Sequence, residues 1–232
     1  MTFVIGDIHG QKEKYLEMLE KLNPSDTDAV FVLGDVIGIG DDGIEILKDM
    51  MYRANIFPVL GEQEYMAKEL FPLISSAKSV EEAKTFLSGE TAELFEKWLA
   101  MKSEKTFQDF LSLDEENKES IIDYLSEFAP YEEVEAGGKT FVLTHAGIDG
   151  FEEDRDLDEY DEKDFVFAKT DYNKPYFAES YLVTGHTPTA LIDRQCTGKV
   201  YAKKRHLAID CGAAYGGRLA AVCLDKLKVY YC

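Results

Sequence analysis

The chain has 232 residues, of which 45% are hydrophobic and 12% aromatic, which is enough apolar material for a packed core. Its formal net charge of −20 at pH 7 argues against binding to nucleic acid polymers or anionic membranes, because their phosphates would be repelled. No run approaches the ~18 apolar residues of a membrane span, and the chain starts without a basic leader, so we expect a cytoplasmic location.

The first sixty residues predict alternating strands and helices. Apolar runs that lead into Gly-Asp predict strands at 3–7 and 29–34, and a shorter run predicts a third strand at 56–60. Between them, apolar residues at helical spacing predict helices at 11–22 and 44–54. This β-α-β-α-β order predicts parallel strands joined by right-handed crossovers.

The rest of the chain predicts a helical middle followed by more strands. Residues 62–127 are rich in helical periodicity, and residues 131–144 predict a hairpin that turns at Gly137-Gly138. Beyond them, strands are predicted at 181–184, 207–210, 219–224 and 227–231. We therefore expect an α/β fold with an inserted helical region. Since no linker divides the chain, we expect a single domain over residues 1–232.

An acidic stretch at 149–164 contains ten Asp or Glu residues in sixteen positions. Its spacing matches the opening of a calcium-binding EF-hand loop, but Glu159 stands where the turn glycine is needed and Phe165 where the closing carboxylate is needed. We therefore expect a solvated loop here.

Four predicted strands lead into a residue that can bind a metal ion, namely Asp7, Asp35, His145 or His186, and His9 follows two residues after Asp7. The carboxyl ends of strands in an α/β sheet meet in one place, so we expect these five residues to converge. If it stood alone, an Asp at a strand end would be interpreted as a cap or turn residue, and a His as a structural residue. Mixed carboxylate and imidazole ligands suit Mn²⁺, Fe or Zn²⁺ better than Ca²⁺. If one carboxylate bridges, the site holds two ions ~3.5 to 4 Å apart, as in phosphoryl hydrolysis.

Six short motifs follow one another along the chain: GDIHG at 6–10, GD at 34–35, G-x-x-E at 61–64, THAG at 144–147, GHTP at 185–188 and IDCGAAYGGRLAAV at 209–222. In order and spacing, the chain resembles the metallophosphoesterase (calcineurin-like) superfamily, especially bacterial and phage serine/threonine protein phosphatases and diadenosine tetraphosphate hydrolases. The resemblance covers nearly the whole chain. It implies a β-sandwich of mixed sheets flanked by helices, which would place the parallel start of the chain in a mixed sheet.

The resemblance also implies roles for the site residues. Asp7, His9 and Asp35 would hold one ion, and Asp35, His145 and His186 would hold a second, so that Asp35 bridges the two. We therefore expect two divalent metal ions, with Mn²⁺ favoured and Fe or Zn²⁺ as alternatives. Asp7, His9 and Asp35 are accordingly counted as catalytic residues, together with Gln63 at the position of the family's proton donor.

Two motifs depart from the family pattern. Where that pattern reads G-D-x-x-D-R-G, this chain reads GDVIGIG, so Gly38 replaces an Asp and Ile39 replaces an Arg that grips phosphate. Where it reads G-N-H-E, Glu62 replaces the metal-binding Asn and Gln63 replaces the His that protonates the leaving group. A later W-x-R, whose Arg helps to bind phosphate, corresponds to residues 167–169, where Lys169 retains a cation.

These replacements predict an altered substrate preference. Glu62 can still bind a metal ion, but Gln63 cannot transfer a proton, and general acid catalysis contributes ~10² to 10⁴ in rate. Good leaving groups should therefore be hydrolysed better than alkyl phosphates such as phosphoserine. Relative to the family pattern, one cation is lost at position 39 and one anion gained at position 62. This difference of two charge units predicts a shift toward diesters.

Three functions are compatible with these residues. The first is a dinuclear-metal phosphoester hydrolase related to serine/threonine phosphatases, acting with altered preference on a phosphoprotein, a nucleotide or a small phosphodiester. The second is a catalytically weak relative that holds metal and binds a phosphorylated ligand or a partner protein. The third is a scaffold without metal, in which Asp7, His9 and their neighbours satisfy one another. Catalytic competence is open because the proton donor and the phosphate-binding Arg are both replaced.

Overall fold

A computed structural model describes residues 1–232 as ten β-strands and nine α-helices. The strands are β1 Thr2–Ile5, β2 Ala29–Val32, β3 Ile56–Pro58, β4 Tyr131–Ala136, β5 Lys139–Thr144, β6 Tyr181–Thr184, β7 Tyr201–Lys203, β8 His206–Ala208, β9 Ala220–Cys223 and β10 Lys228–Tyr231. The helices are α1 Lys12–Leu22, α2 Gly43–Met51, α3 Glu62–Ile74, α4 Val80–Phe86, α5 Glu90–Ala100, α6 Glu104–Leu111, α7 Glu115–Ser126, α8 Glu162–Val166 and α9 Thr189–Ile192.

The strands form two mixed sheets of five. The first has the order β10-β9-β1-β2-β3, in which β1 pairs in parallel with β2 and β2 with β3, while β9 runs antiparallel to β1. The second has the order β4-β5-β6-β8-β7, with β5, β6 and β8 parallel and an antiparallel strand at each edge. The expected α/β fold with mixed sheets flanked by helices is confirmed.

The central strands are buried on both faces, which explains why they read as continuous apolar runs. On β1, Phe3 and Ile5 belong to the large apolar cluster on the helical side, whereas Val4 points into the cluster between the two sheets. On β2, Val30 belongs to the cluster on the helical side and Phe31 to the cluster between the sheets. The second sheet contributes its own apolar residues to the cluster between the sheets. The two sheets therefore pack face to face.

Helices α3 to α7 form the helical region between β3 and β4, as the sequence predicts. Its centre is the fully buried Trp98 on α5, whose ring contacts the rings of Phe71 on α3 and Phe107 on α6. Phe71 also stacks on Phe110 of α6, with ring centroids 3.8 Å apart. This aromatic packing fixes the turn between α5 and α6 relative to α3.

Three features differ in detail from the prediction. Strand β7 was not predicted, because it is only three residues long and ends on an exposed lysine. The acidic stretch at 149–164 is not entirely loop, since it contains a 3₁₀ turn at Leu157–Glu159 and the start of α8, which is capped by Asp161. Helix α2 ends at Met51, three residues earlier than predicted. None of the nine helices is both long and apolar enough to cross a membrane.

Candidate metal centre

Five predicted site residues lie together beyond the ends of the strands. Asp7, His9 and Asp35 form one group of possible metal ligands, and Asp35, His145 and His186 form another. Within each group, the ligand atoms all lie within 4.8 Å of one another. The two groups share Asp35, so the side chains are arranged as two adjoining sites with one carboxylate in common.

The backbone turns sharply to deliver these side chains. His9, Asp35 and His186 all adopt the left-handed conformation, with φ of 48°, 46° and 60°, which is uncommon for residues other than glycine and concentrates at functional sites. Close packing requires glycine beside them: a Cβ at Gly185 would stand 2.0 Å from Asp7 Oδ1, and one at Gly34 would stand 2.4 Å from the backbone of Gly61. The glycines of these motifs therefore allow close approach of the chain.

Backbone carbonyls orient two of the imidazole rings. His145 donates from Nδ1 to the carbonyl of Leu33 (2.7 Å), which leaves Nε2 3.5 Å from Asp35 Oδ1. His9 Nδ1 lies 3.3 Å from the carbonyl of Ile37, and its Nε2 lies 3.5 Å from Asp35 Oδ2. Such bonds fix the tautomer of a metal-binding histidine and direct the lone pair of its other nitrogen. Burial lowers the pKa of His145, which favours the neutral, ligating form.

The charges of the site fit divalent cations. Asp7, Asp35 and Asp210 are all at most 3% exposed, and no Lys or Arg forms an ion pair with any of them. Burial, together with the neighbouring carboxylates, raises the pKa of Asp7 well above its ordinary value. Burial likewise raises the pKa of Asp210 to about 6. Buried anions without counter-charges are unfavourable, so this carboxylate and imidazole set fits two bound metal ions.

A cavity of about 250 Å³ opens onto these groups. It is lined by residues of the strand ends and of the helical region, namely His9, Asp35, Ile39, Glu62, Gln63, Met101, Lys102, His186, Asp210 and Tyr215. The cavity is therefore the place where a ligand would meet the metal-binding groups.

Glu62, predicted as a metal ligand, lines this cavity but belongs to neither ligand group. Its Oε1 accepts a hydrogen bond from Lys97 Nζ on α5 at 3.0 Å. The Lys97 ammonium also lies over the ring of Phe167, 4.7 Å from its centroid. Metal binding by Glu62 stays a prediction, and Oε2 is the oxygen that Lys97 leaves free for it.

Gln63, predicted at the position of the proton donor, is 1% exposed and lies beside Asp35. Its backbone N–H donates to Asp35 Oδ1 at 2.9 Å, while its side-chain Oε1 accepts from the hydroxyl of Ser103 at 2.6 Å. Gly38 has φ of +91°, and a Cβ there would stand 2.7 Å from Gln63 Cδ. The backbone N–H of Gly38 donates to Thr106 Oγ1 at 3.2 Å. Positions 38 and 63 therefore fit each other and the helical region.

Lys169, predicted to bind substrate, is exposed and does not line the cavity. The cations near the site come from the helical region instead: Lys97 is paired with Glu62, and Lys102 lines the cavity. Lys97 and Lys102 are cations that the motif comparison leaves out. The shift toward diesters stays a prediction.

The calcineurin-like phosphoesterase family model matches residues 2–197, which is most of the chain. The chain belongs to this family. Its curated relatives include symmetrical bis(5'-nucleosyl)-tetraphosphatases from Wigglesworthia glossinidia brevipalpis, at 29% identity over 119 residues, and from Proteus mirabilis, at 27% over 119 residues. Each match spans 50% of this chain and 41% of the relative, so the chain covers less than half of these relatives' length.

Solved structures share the fold of this chain. A crystal structure of a protein provisionally named a diadenosine tetraphosphatase has a TM-score of 0.65 at 18% identity, covering 100% of this chain and 92% of the other. A protein serine/threonine phosphatase from Saccharomyces cerevisiae has a TM-score of 0.53 at 11% identity, covering 99% of this chain and 78% of the other. At these identities the likeness shows the fold alone.

Two further residues of the candidate site received no role from the sequence. The Glu64 carboxylate is fully buried and accepts hydrogen bonds from the backbone N–H groups of Asp35 (2.7 Å), Val36 (2.9 Å) and Ile37 (3.0 Å), so it holds the loop that carries Asp35. Asp210 follows β8 and lines the cavity. Asp210 ended a predicted strand, so the same strand-end signal that identified Asp35 could have identified it.

Proposed function

We propose that this protein is a metal-dependent phosphoester hydrolase that uses two divalent ions and acts on substrates with good leaving groups. The observation that carries the proposal is the pair of ligand groups that share Asp35 on the wall of one cavity. Family membership supports a hydrolase of this class. Mn²⁺ remains the first candidate, with Fe or Zn²⁺ as alternatives, because the donor set mixes carboxylates with imidazoles.

In this proposal, Asp7, His9, Asp35, His145 and His186 hold the ions, and bound divalent cations supply Lewis-acid activation of water and of the phosphoryl group. The protein's own contribution is preorganisation. The two imidazole rings are oriented by the Leu33 and Ile37 carbonyls, and the backbone N–H of His186 donates to both Asp7 oxygens, at 3.0 and 2.9 Å. Asp7 and His186 therefore stay in place before any ligand enters.

The environment of Gln63 supports the preference for good leaving groups. Its Oε1 is occupied by Ser103, which leaves the amide nitrogen as the group able to face a leaving oxygen. An amide N–H donates a hydrogen bond but does not transfer a proton. A leaving group that is stable as an anion, such as a nitrophenolate or a nucleotide phosphate, needs no proton. We therefore propose phosphoanhydrides of the dinucleoside polyphosphate type and activated esters as substrates, ahead of phosphoserine.

The test is the dependence of turnover on the leaving group. Protein loaded with Mn²⁺ is assayed on aryl phosphates of increasing leaving-group pKa, on diadenosine tetraphosphate and on a phosphoserine peptide. We expect kcat/KM to fall steeply as the leaving-group pKa rises, with phosphoserine at least ~10²-fold below p-nitrophenyl phosphate. Gln63→His is the informative variant, because it should raise turnover of alkyl esters far more than that of nitrophenyl esters.

Two results would decide against the proposal. Equal rates across the leaving groups would show that this site does donate a proton to the leaving group. No hydrolysis of any ester or anhydride by protein that retains its metal would favour the catalytically weak relative that binds a phosphorylated ligand or a partner. Gly38→Asp is unsuitable as a companion change, because φ of +91° at position 38 strains any residue that carries a Cβ.

A further inference from the structure

The turn between α5 and α6 forms one side of the cavity that contains the metal-binding groups. Met101 and Lys102 line the cavity at this turn. Lys102 takes the left-handed conformation, with φ of 66°, and its N–H donates to the carbonyl of Leu99 at 3.0 Å. This bond closes the end of α5 in the manner of a helix C-cap. The Lys102 side chain is therefore presented from a defined turn and not from a free loop.

The residue that follows Lys102 attaches this turn to the wall of the cavity. Ser103 is fully buried, and its hydroxyl donates to Gln63 Oε1 at 2.6 Å. One turn further along α6, Thr106 is also buried and accepts from the backbone N–H of Gly38. Phe107 then enters the aromatic core beside Trp98. Lys102 is thus held next to residues that contact Asp35 or belong to its loop.

Lys102 has no protein partner, unlike the neighbouring lysines of α5 and α6. Its Nζ forms no hydrogen bond and no ion pair, whereas Lys97 pairs with Glu62 and Lys105 pairs with Asp109 on its own helix. Lys102 is also the only Lys or Arg among the residues that line the cavity. Lys102, an exposed residue, therefore contributes the one cation without a protein partner to the lining of the cavity that also contains Asp35 and Asp210.

We propose that Lys102 binds the anionic oxygens of the substrate's phosphoryl group and supplies the cation that Ile39 cannot. The inference rests on the proposed function for the nature of the substrate. The ammonium is a compact charge with three donors on a flexible stem, so it contacts phosphate as a point charge and not as a bidentate fork. Lys102 therefore makes binding depend on substrate charge. Dianionic phosphate groups gain more from it than diesters do, which is the opposite of the preference expected from the motifs alone.

The test uses inorganic phosphate as the probe, titrated into the full-length, metal-loaded protein by calorimetry. Lys102→Gln removes the charge and keeps the length of the side chain, and Lys102→Arg keeps the charge. We expect Lys102→Gln to weaken phosphate binding about tenfold or more, since hydrogen bonds to charged groups contribute this much. Its KM for p-nitrophenyl phosphate should rise while kcat changes less, and Lys102→Arg should retain most of the affinity.

Two matched variants control for a general loss of positive charge. Lys105→Gln removes an exposed cation from the same helical region, and Lys169→Gln removes the cation that the sequence assigned to substrate binding. Both should leave phosphate affinity within about twofold of the parent. Metal stoichiometry and thermal midpoint should be unchanged in Lys102→Gln, because the exposed Lys102 side chain forms no hydrogen bond or ion pair.

The results separate this inference from the proposed function, because binding of phosphate does not require turnover. If the parent protein binds phosphate but hydrolyses nothing, a selective loss in Lys102→Gln still supports the inference. Unchanged affinity in Lys102→Gln overturns it, as does an equal loss in Lys169→Gln. It is also overturned if metal-loaded parent protein binds no phosphate at millimolar concentration.

Discussion

The strand ends and the helical region meet at one cavity, and they build it by different means. At the strand ends, the metal-binding side chains are placed by the main chain: His9, Asp35 and His186 sit in left-handed turns, and His145 is oriented by a carbonyl of the neighbouring strand end. The helical region contributes side chains that approach from α5 and α6. Three hydrogen bonds run from α5, α6 and the turn between them to motif positions 62, 63 and 38: Lys97 to Glu62, Ser103 to Gln63 and Thr106 to Gly38.

The difference shows how altered motifs remain part of an ordered site. Positions 38, 62 and 63 are those that the motif comparison predicts to depart from the family pattern, and each has a partner on α5, on α6 or in the turn between them. Gly38 leaves the space that the Gln63 side chain occupies. In the proposed function, the strand ends would hold the ions, whereas α5, α6 and the turn between them would set the charge and hydrogen bonding that a substrate meets.

The largest expected effect comes from a substitution at the strand ends. Asp35→Asn removes the charge shared by the two ligand groups, while the amide keeps the size of the side chain. Metal affinity should fall by at least about a hundredfold, since loss of an outer-shell partner alone costs 10- to 100-fold, and hydrolysis should fall below detection. Metal content after dialysis against Mn²⁺ measures the effect. Asp193→Asn, on the surface, is the control, and retention of two ions by Asp35→Asn would reject the shared carboxylate.

A second prediction concerns the pKa of His206, which lies in the second sheet and does not line the cavity. Burial lowers the pKa of His206 to about 4, and its ring stacks on Tyr172. In the unfolded chain the pKa is near 6.5, so between pH 6.5 and pH 4 only the unfolded chain takes up this proton. The free energy of unfolding should therefore fall as the pH decreases through this range, by up to about 3 kcal/mol from this residue.

Urea titrations at several pH values measure the contribution of His206. Other groups titrate in the same range, so the quantity of interest is the difference between the parent and His206→Gln. Gln cannot take up the proton and can still reach Thr184, whose Oγ1 lies 2.9 Å from His206 Nε2. The difference should shrink toward pH 4. Parallel pH profiles for the two proteins would show that His206 is not held neutral by burial.

The smallest expected effect comes from a substitution in the turn between α5 and α6. Ser103→Ala leaves Gln63 Oε1 without its donor in a buried position, which should lower the free energy of unfolding by about 2 kcal/mol. Metal content should not change, because both groups of possible metal ligands lie at the strand ends. Ser112→Ala, an exposed serine that bonds the carbonyl of Asp109, is the control. Loss of metal in Ser103→Ala would show that the two regions are not separable.

The sequence predicts the strand-end half of the site because its signals are local. Asp7 and Asp35 each follow an apolar run and a glycine within a few residues, and the mixed sheets follow from the family resemblance. The contribution of Lys102 and Ser103 could not be predicted this way. They lie about forty residues beyond Gln63, and only the packing of Trp98 and its neighbours brings their turn to the cavity.

The central claim is that two ions share Asp35 beyond the strand ends. Anomalous diffraction from crystals grown with Mn²⁺ tests it most directly, because the scattering locates each ion independently of any assay. We predict two peaks about 3.5 to 4 Å apart, one beside Asp7 and His9 and the other beside His145 and His186, with Asp35 between them. A single peak, or no peak at the strand ends of protein that retains metal, would contradict the account.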